Sequence, residues 1–417
     1  MRQRDLYTKT RKSLPKDEVA KNAKLLIQGG FVNKELAGVY SYLPLGIRVL
    51  KKIEQIIREE MNAIDAQELL LSALHPKENW EKTGRWESMD DLYKVADESG
   101  RELALGPTHE EVVVPMVKQF LSSYKDLPFA VYQFQTKFRK ELRAKSGILR
   151  GREFLMKDLY SFHADESDLD TYYERAKDSY GRIFTRAGIG AETYLTSASG
   201  GSFSKFSHEF QTVTEAGEDI IYLCGKCKVA VNKEIIKEQS VCPQCSNADL
   251  EQKKAVETGN IFKLNTKFSD PFGLTVRLLG GEERLVLMGC YGVGLGRLMG
   301  TIVEVLADEK GLAWPESVSP FTLHLLRITN QGSREKVSKY ADELYEKLEK
   351  SAVDVLYDDR EEVSAGEKFA DADLIGIPLR AVVSEKTLTE GKVEIKGRKD
   401  AEARLVEERE LVSLLKI

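Results

Sequence analysis

Apolar positions along the chain recur with two periods, one helical and one of strands. In residues 46–61, Ile47, Leu50, Ile53, Ile57 and Met61 recur at helical spacing with Arg and Lys between them, which predicts an amphipathic helix lying on a core. Residues 165–184 predict a second helix, with Leu169, Tyr172, Tyr173, Ala176, Tyr180, Ile183 and Phe184 turned inward and Asp168 as its cap. Short apolar runs at 68–71, 129–134 and 154–156 read as strands, and strand patterns resume at 260–264 and 284–288. Residues 289–297, Gly-Cys-Tyr-Gly-Val-Gly-Leu-Gly-Arg, read as a glycine turn that opens a helix through Leu298, Ile302, Val305 and Leu306. After Ser319-Pro320 the character changes. A strand at 321–328, a helix at 333–350, a strand at 353–357, a helix opened by the capping box Ser364-Ala365-Gly366-Glu367 and a strand at 379–383 predict a small α/β domain with a partly parallel sheet.

Length divides the 417 residues into roughly two or three domains at ~150 residues each. With 42% hydrophobic and 31% charged residues, the chain fits neither a disordered nor a membrane-embedded class. Its longest apolar stretches, such as 112–117, fall far short of the ~20 residues a span needs. Arg2 and Arg4 are followed by no apolar run of the kind a signal peptide requires, so a cytoplasmic enzyme is the expectation. A net charge of −5 argues against a dedicated electrostatic nucleic-acid binder. Locally the balance reverses: Lys137, Arg139, Lys140, Arg143, Lys145, Arg150 and Arg152 stand against Glu141 alone, a stretch suited to a polyanion.

Four of the five cysteines form two C-x-x-C pairs, Cys224/Cys227 and Cys242/Cys245, separated by fourteen residues. Paired knuckles near this spacing set four thiolates about one Zn²⁺ in a closed, structural site; a reduced remnant without metal is the other reading. The polar, lysine-rich segment around them, residues 219–257, interrupts the strand and helix pattern. The expected organisation is therefore a catalytic domain at 1–218 and 258–318, a short zinc-knuckle insertion at 219–257, and a carboxy-terminal domain at 319–417.

The glycine run does not fit a dinucleotide fingerprint, because Arg297 stands where its last glycine would fall, and no phosphate loop of the G-x-x-x-x-G-K-[ST] type occurs. Two readings remain for it: a tight packing turn, or a turn that aims Arg297 at a triphosphate. More specific is Phe138-Arg139-Lys140-Glu141, a basic loop, then Arg150-Gly151-Arg152-Glu153-Phe154. Two strands joined by such a loop would set Arg139 and Arg150 near phosphates, Glu141 near a purine amino group and Phe154 against a base; either half alone also suits a solvated charged hairpin.

Both halves followed by the Arg297 segment form the three-part pattern of class II aminoacyl-tRNA synthetases. The chain resembles the bacterial-type prolyl-tRNA synthetases along nearly its whole length apart from the knuckle. The resemblance is carried by Leu43-Pro44-Leu45-Gly46, Thr83-Gly84-Arg85-Trp86, Gly106-Pro107-Thr108-His109-Glu110-Glu111, residues 135–139 and 150–163, Ser207-His208-Glu209-Phe210-Gln211, residues 288–294, Tyr357-Asp358-Asp359-Arg360 and residues 369–378. It implies an α+β catalytic domain, an antiparallel sheet flanked by helices, with an α/β anticodon-binding domain after it, acting as a homodimer on ATP with Mg²⁺, proline and the proline tRNA, with no membrane partner. By the same resemblance Arg139 meets the α-phosphate and the amino-acid carboxylate, Glu141 the adenine amino group, Arg150 the γ-phosphate, Phe154 the adenine face, Gln211 the ribose, and Arg297 the other side of ATP. Thr108 and Glu110 hold the substrate's secondary ammonium, while Met156, Asp158, Tyr160 and Cys290 line the proline pocket. His109 and His163 are expected to pack or hydrogen-bond, not to transfer protons.

Three departures from the family pattern stand out. Ser72 replaces the usual proline after the first-motif strand, Gly200-Gly201 lie farther from Ser207 than is usual, and the large editing insertion is missing. A catalytically silent synthetase-like protein would have lost motif residues that are all retained here, and a zinc-ribbon nucleic-acid adaptor would leave most of the chain unused.

Overall fold

The computed structural model describes residues 1–11, 13, 18–142, 144, 146–200 and 206–415. They form two compact units, one made of Met1–Lys34, Ser41–Lys52 and Ile302–Ile417, the other of Glu35–Tyr40 and Ile53–Thr301. Arg143 and Lys145 of the basic loop, and the residues after Gly200 up to Lys205, lie outside the described residues.

The unit containing Ile53–Thr301 is built on a nine-stranded sheet. Its strands are β1 (Ala66–Glu68), β2 (Phe129–Phe138), β3 (Glu153–His163), β4 (Thr193–Ser199), β5 (Phe206–Val213), β6 (Asp219–Cys224), β7 (Ala230–Asn232), β8 (Leu250–Asn265) and β9 (Leu287–Gly294), in the order β5-β4-β7-β6-β8-β9-β3-β2-β1. All pairs are antiparallel except β4 with β7 and β1 with β2. Successive side chains of the central strands point to opposite faces, and each face has its own cover. Val131, Tyr160, Phe162 and Met288 join Val113, Val114 and Val117 of helix α2 (Glu110–Val117) on one side. On the other, Tyr291 meets Tyr172 and Tyr173 of helix α3 (Glu166–Arg186), with ring centroids 6.0 and 6.1 Å apart. The amphipathic helix expected at 46–61 is α1 (Pro44–Asn62).

Two local expectations are corrected. The cap of α3 is Asp165, whose carboxylate accepts the Asp168 N–H at 2.9 Å, while Asp168 holds His163 Nδ1 at 2.7 Å. Asp165 has the extended backbone a cap needs, and Asp168 is already helical. The glycine run is a strand and not a turn: β9 continues to Gly294 and helix α4 (Leu295–Leu306) follows directly. Its glycines answer to crowding, since a Cβ on Gly289 would come within 2.3 Å of the Tyr291 hydroxyl and 2.7 Å of Ser161 Oγ.

The knuckle segment is sewn into this sheet. β6 pairs with β8 from Asp219↔Ala255 to Cys224↔Leu250, and β8 continues alongside β5 and β9. β7 lies between β6 and β4, so strands β4 to β8 close on themselves.

In the other unit, β10 (Leu323–Ile328), β11 (Val355–Asp358), β12 (Leu379–Ser384), β13 (Val393–Gly397) and β14 (Arg404–Val406) form a sheet ordered β11-β10-β12-β13-β14, parallel over its first three strands. Helix α5 (Arg334–Lys350) buries Val337, Ala341, Leu344 and Leu348 against Leu323, Leu325 and Val355. Helix α6 (Ala365–Ile375) starts where Ser364 Oγ accepts the Glu367 N–H at 3.2 Å. The first residues of the chain belong here too: the Met1 amino group donates to Tyr345 Oη and to the Val355 carbonyl, both at 2.8 Å.

Candidate active site

β2 and β3 pair from Phe129↔Phe162 to Phe138↔Glu153, and this hairpin carries the basic loop at its end. The Arg139 N–H donates to the Arg152 carbonyl at 2.9 Å, which turns the Arg139 side chain inward. Its Nη2 donates to the Pro107 carbonyl at 3.3 Å, its guanidinium lies 5.3 Å from the centre of the Phe154 ring, and its Nε is buried with no hydrogen-bond partner among the described residues. Burial and the charge of Arg297 push the Arg139 pKa down, so an anion at this position would relieve two costs at once.

Arg139, Glu141, Arg150, Glu218, Glu257 and Arg297 line a cavity of about 240 Å³. A second, of about 50 Å³, shares Arg139 and Arg297 and adds Phe154, Met156, Asn260 and Gly292. Arginine and carboxylate alternate around the walls. Arg150 Nε donates to Glu141 at 2.8 Å and its Nη1 to Glu218 at 2.9 Å; Arg297 donates to the Leu149 carbonyl at 2.8 Å and to the Glu257 carbonyl at 3.0 Å. A polyphosphate entering here meets three guanidinium groups, and the carboxylates it displaces are oxygen donors of the kind its Mg²⁺ takes. Gln211 is buried on β5 behind this wall, donating to Glu209 and Asp219 at 2.9 Å each, with its Oε1 unpartnered among the described residues. Burial and the charge of Glu257 push Glu209 up to about 8.

Only part of the basic stretch faces this cavity. Lys137 is fully buried in the sheet and pairs with Asp158 at 2.8 Å, because its position on β2 points it toward the core. Arg152 bonds the carbonyls of Glu141 and Ala37.

The second half of the site starts at Pro107, where Arg139 ends. Thr108 Oγ1 donates to Glu110 Oε2 at 2.5 Å, and Cys290 Sγ lies 3.6 Å from Glu110 Oε1. Burial and the neighbouring carboxylates push the Cys290 thiol up, which keeps it a protonated donor. Tyr160 Oη accepts the His109 N–H at 2.9 Å, donates to Asp158 at 3.0 Å, and lies 3.5 Å from Thr108 Oγ1. Asp158 also accepts from Gln133 at 2.9 Å and is only 2% exposed. Its carboxylate is thus taken up inside the protein, by Lys137 on one oxygen and by Gln133 and Tyr160 on the other. His109 accepts from Lys137 through Nδ1 at 2.6 Å and donates to the Ser72 carbonyl through Nε2 at 3.1 Å. Burial and Lys137 push its pKa down, which leaves it neutral. Met156 on β3 stands opposite Gly294 on β9, and its sulfur reaches to 3.8 Å from where a Gly292 Cβ would stand. Glu218, Glu257 and Asn260 were missed by the sequence reading, since nothing in a polar strand or the bend before one marks which residue reaches a cavity.

The four cysteines converge. Their Sγ atoms lie within 4.8 Å of one another, with Cys224 and Cys245 at 3.7 Å. Four thiolates at 2.3 Å from one zinc ion would stand about 3.8 Å apart, so the donor set and its size both fit. Backbone N–H groups of Cys227 and Lys226 hold the Cys224 thiol down to about 6.

Comparison with known proteins identifies the family. A family model for the class II tRNA synthetase core domain (G, H, P, S and T) matches residues 93–306, and one for an anticodon binding domain matches residues 325–416. The proline–tRNA ligase of Caldicellulosiruptor bescii is 32% identical across 98% of this chain and 96% of the relative. That of Staphylococcus saprophyticus is 33% identical across 97% of each. These alignments run over 558 and 553 residues against a chain of 417, so the relatives hold a long stretch with no counterpart here. Among solved structures, a prolyl-tRNA synthetase from Cryptosporidium parvum, complexed with L-proline and AMP, superposes with a TM-score of 0.76 at 18% identity, covering 94% of this chain and 73% of that one. Matched along almost its entire length, with both domain models in order, the chain belongs to the bacterial-type prolyl-tRNA synthetases, class II enzymes that ligate proline to tRNA.

Proposed function

We propose that proline is activated where the two halves of this cleft meet, at Arg139. The observation that carries this is the Arg139 guanidinium, whose Nε is buried without a partner among the described residues, standing between the Pro107–Glu110 segment and the arginine-lined cavity. ATP occupies the cavity, with adenine on Phe154 and its amino group toward Glu141, ribose toward Gln211, and phosphates among Arg139, Arg150 and Arg297. Proline lies beside Thr108, Glu110 and Cys290, its secondary ammonium facing the Glu110 carboxylate, with Met156 and Tyr160 bounding the ring and Asp158 acting through Tyr160. Its carboxylate oxygen attacks the α-phosphorus and pyrophosphate leaves; the terminal ribose hydroxyl of the proline tRNA then attacks the prolyl carbonyl and AMP leaves. Such transfers need positioning and charge neutralisation more than a protein nucleophile, which fits a cavity lined by Arg139, Arg150 and Arg297. Glu218, Asp219 and Glu257 are the carboxylates that would hold Mg²⁺, whose charge offsets that of the phosphates. Zn²⁺ held by Cys224, Cys227, Cys242 and Cys245 has a structural role. The enzyme acts as a homodimer in the cytoplasm; among the described residues, no helix is long and apolar enough to cross a membrane.

The test is amino-acid-dependent ATP–pyrophosphate exchange across the twenty amino acids. Proline gives by far the strongest signal, and Arg139→Ala lowers it by about 10²–10³, the usual cost of removing a preorganised charge contact. Retention of more than about a tenth of the exchange would remove Arg139 from this role.

A further inference from the structure

Glu110 and Glu111 are adjacent, both almost wholly buried, and a single arginine holds them. Arg85 Nη1 lies 2.9 and 3.1 Å from the two oxygens of Glu111 and 3.5 Å from Glu110 Oε2. Thr83 Oγ1 donates to the same Glu111 carboxylate at 2.9 Å. The guanidinium is itself fixed by rings, 5.1 Å from the centre of Trp80 and 5.4 Å from that of Phe268. The oxygen of Glu110 that Arg85 approaches is the one that accepts from Thr108.

We infer that Arg85 is a positioning residue for proline binding: it offsets the charge of Glu111 and fixes Glu110, so that one carboxylate charge remains for the substrate's secondary ammonium. This rests on the assignment of Thr108 and Glu110 to the proline nitrogen. Two buried carboxylates side by side cannot both stay ionised without a cation between them. Even with Arg85 in place, burial and Glu110 push Glu111 up to about 7. Lys267 also senses both carboxylates but is less buried than Arg85, so water screens it more. Arg85 contributes more than charge: the indole and phenyl faces hold its plane, and a flexible ammonium could not be held so.

The experiment measures KM for proline and for ATP in Arg85→Gln, Arg85→Lys, Glu111→Gln and Glu110→Gln, with cyclopentanecarboxylate as a competitive probe that keeps the ring and carboxylate and lacks the nitrogen. Arg85→Gln is expected to raise KM for proline at least about 30-fold, the low end of what truncating one partner of a buried charge pair costs, and to leave KM for ATP unchanged. Arg85→Lys recovers part of the loss, and inhibition by cyclopentanecarboxylate is the same in wild type and Arg85→Gln. An unchanged KM for proline in folded Arg85→Gln, a parallel rise in both KM values, or an equal weakening of the uncharged probe would overturn the inference. If Arg85→Gln does not fold, Glu111→Gln decides: Arg85 then pairs with Glu110 alone and cancels its charge, so KM for proline must rise, and an unchanged value overturns the inference. If Glu110→Gln leaves proline binding intact, the nitrogen assignment itself has failed.

Discussion

Lys157 shows how a single side chain under the sheet can set a measurable property without touching substrate. Its ammonium is fully buried, donating to Tyr180 Oη at 2.6 Å and to the Tyr291 carbonyl at 3.2 Å. Burial pushes its pKa down to about 7, against 10.5 for a free lysine. Between those values the unfolded chain keeps a proton that the folded chain releases, so this residue makes stability rise with pH across that window. In Lys157→Met, the melting temperature followed by calorimetry from pH 7 to pH 9 is expected to rise less steeply than in wild type; parallel slopes would contradict the burial argument. Residues of this kind were hidden in the sequence, where Lys137 read as part of a polyanion site. A lysine on a strand faces core or solvent according to its register, and register is fixed by neighbours far away in the chain. Arg139, Glu141, Arg150, Phe154 and Arg297 were legible because they sit in a motif whose order and spacing are specific.

Among the elements, the knuckle changes meaning once its strands are traced. From composition it is a separate insertion holding a closed, structural site. Yet β6 starts at Asp219, on the wall of the arginine-lined cavity, and ends at Cys224, while its partner β8 runs from Leu250 past Ala255 to Glu257, on the same wall. If zinc fills the cysteine cluster, its loss is expected to loosen the ladder that positions Glu257 and, through it, Arg297. Metal analysis of protein purified without added zinc is expected to give close to one Zn per chain, lost in the double variant Cys224→Ser, Cys227→Ser. That variant is expected to show a raised KM for ATP with KM for proline unchanged, and an unaltered KM for ATP would show that the sheet holds the wall without the metal. The sequence could not reveal this, because a lysine-rich strand solvated on one face has the composition of a loop.

Taken as a whole, the chain lacks the long stretch its relatives carry, and this has a consequence for accuracy. Alanine is smaller than proline, so a pocket shaped for the ring cannot exclude it by clash. Discrimination comes from lost contact with about two methylenes, each worth roughly 1–3 kcal/mol, which places selectivity at about 10²–10⁴. Enzymes that need more use a second, hydrolytic site, and the knuckle segment is short and committed to its cysteine cluster. Alanyl-tRNA for proline is therefore expected to form, and preformed alanyl-tRNA incubated with this enzyme alone to decay at its spontaneous rate. Enzyme-dependent deacylation would place an editing site in the present fold.

The sequence by itself determined the family and the candidate residues: motif order and residue type pointed to the arginines, the Thr108–Glu110 pair and the four cysteines, and hydrophobic period located α1, α3 and the strands β2, β3, β10, β11 and β12. These are local properties, written in spacing. Only the tertiary structure decided what each residue faces. It turned the glycine run from a turn into strand β9, since flanking β3 and β8 take up its backbone hydrogen bonds and a Cβ at Gly289 has no room. It moved Lys137 from the basic stretch suited to a polyanion to the buried pair with Asp158, brought Glu218 and Glu257 into the cavity wall, and set Arg85 between two carboxylates that the sequence places 25 and 26 residues away. The physical reason is the same in each case. Burial, pairing partner and charge environment are made by strands that meet across long separations in the chain, and no local pattern encodes them.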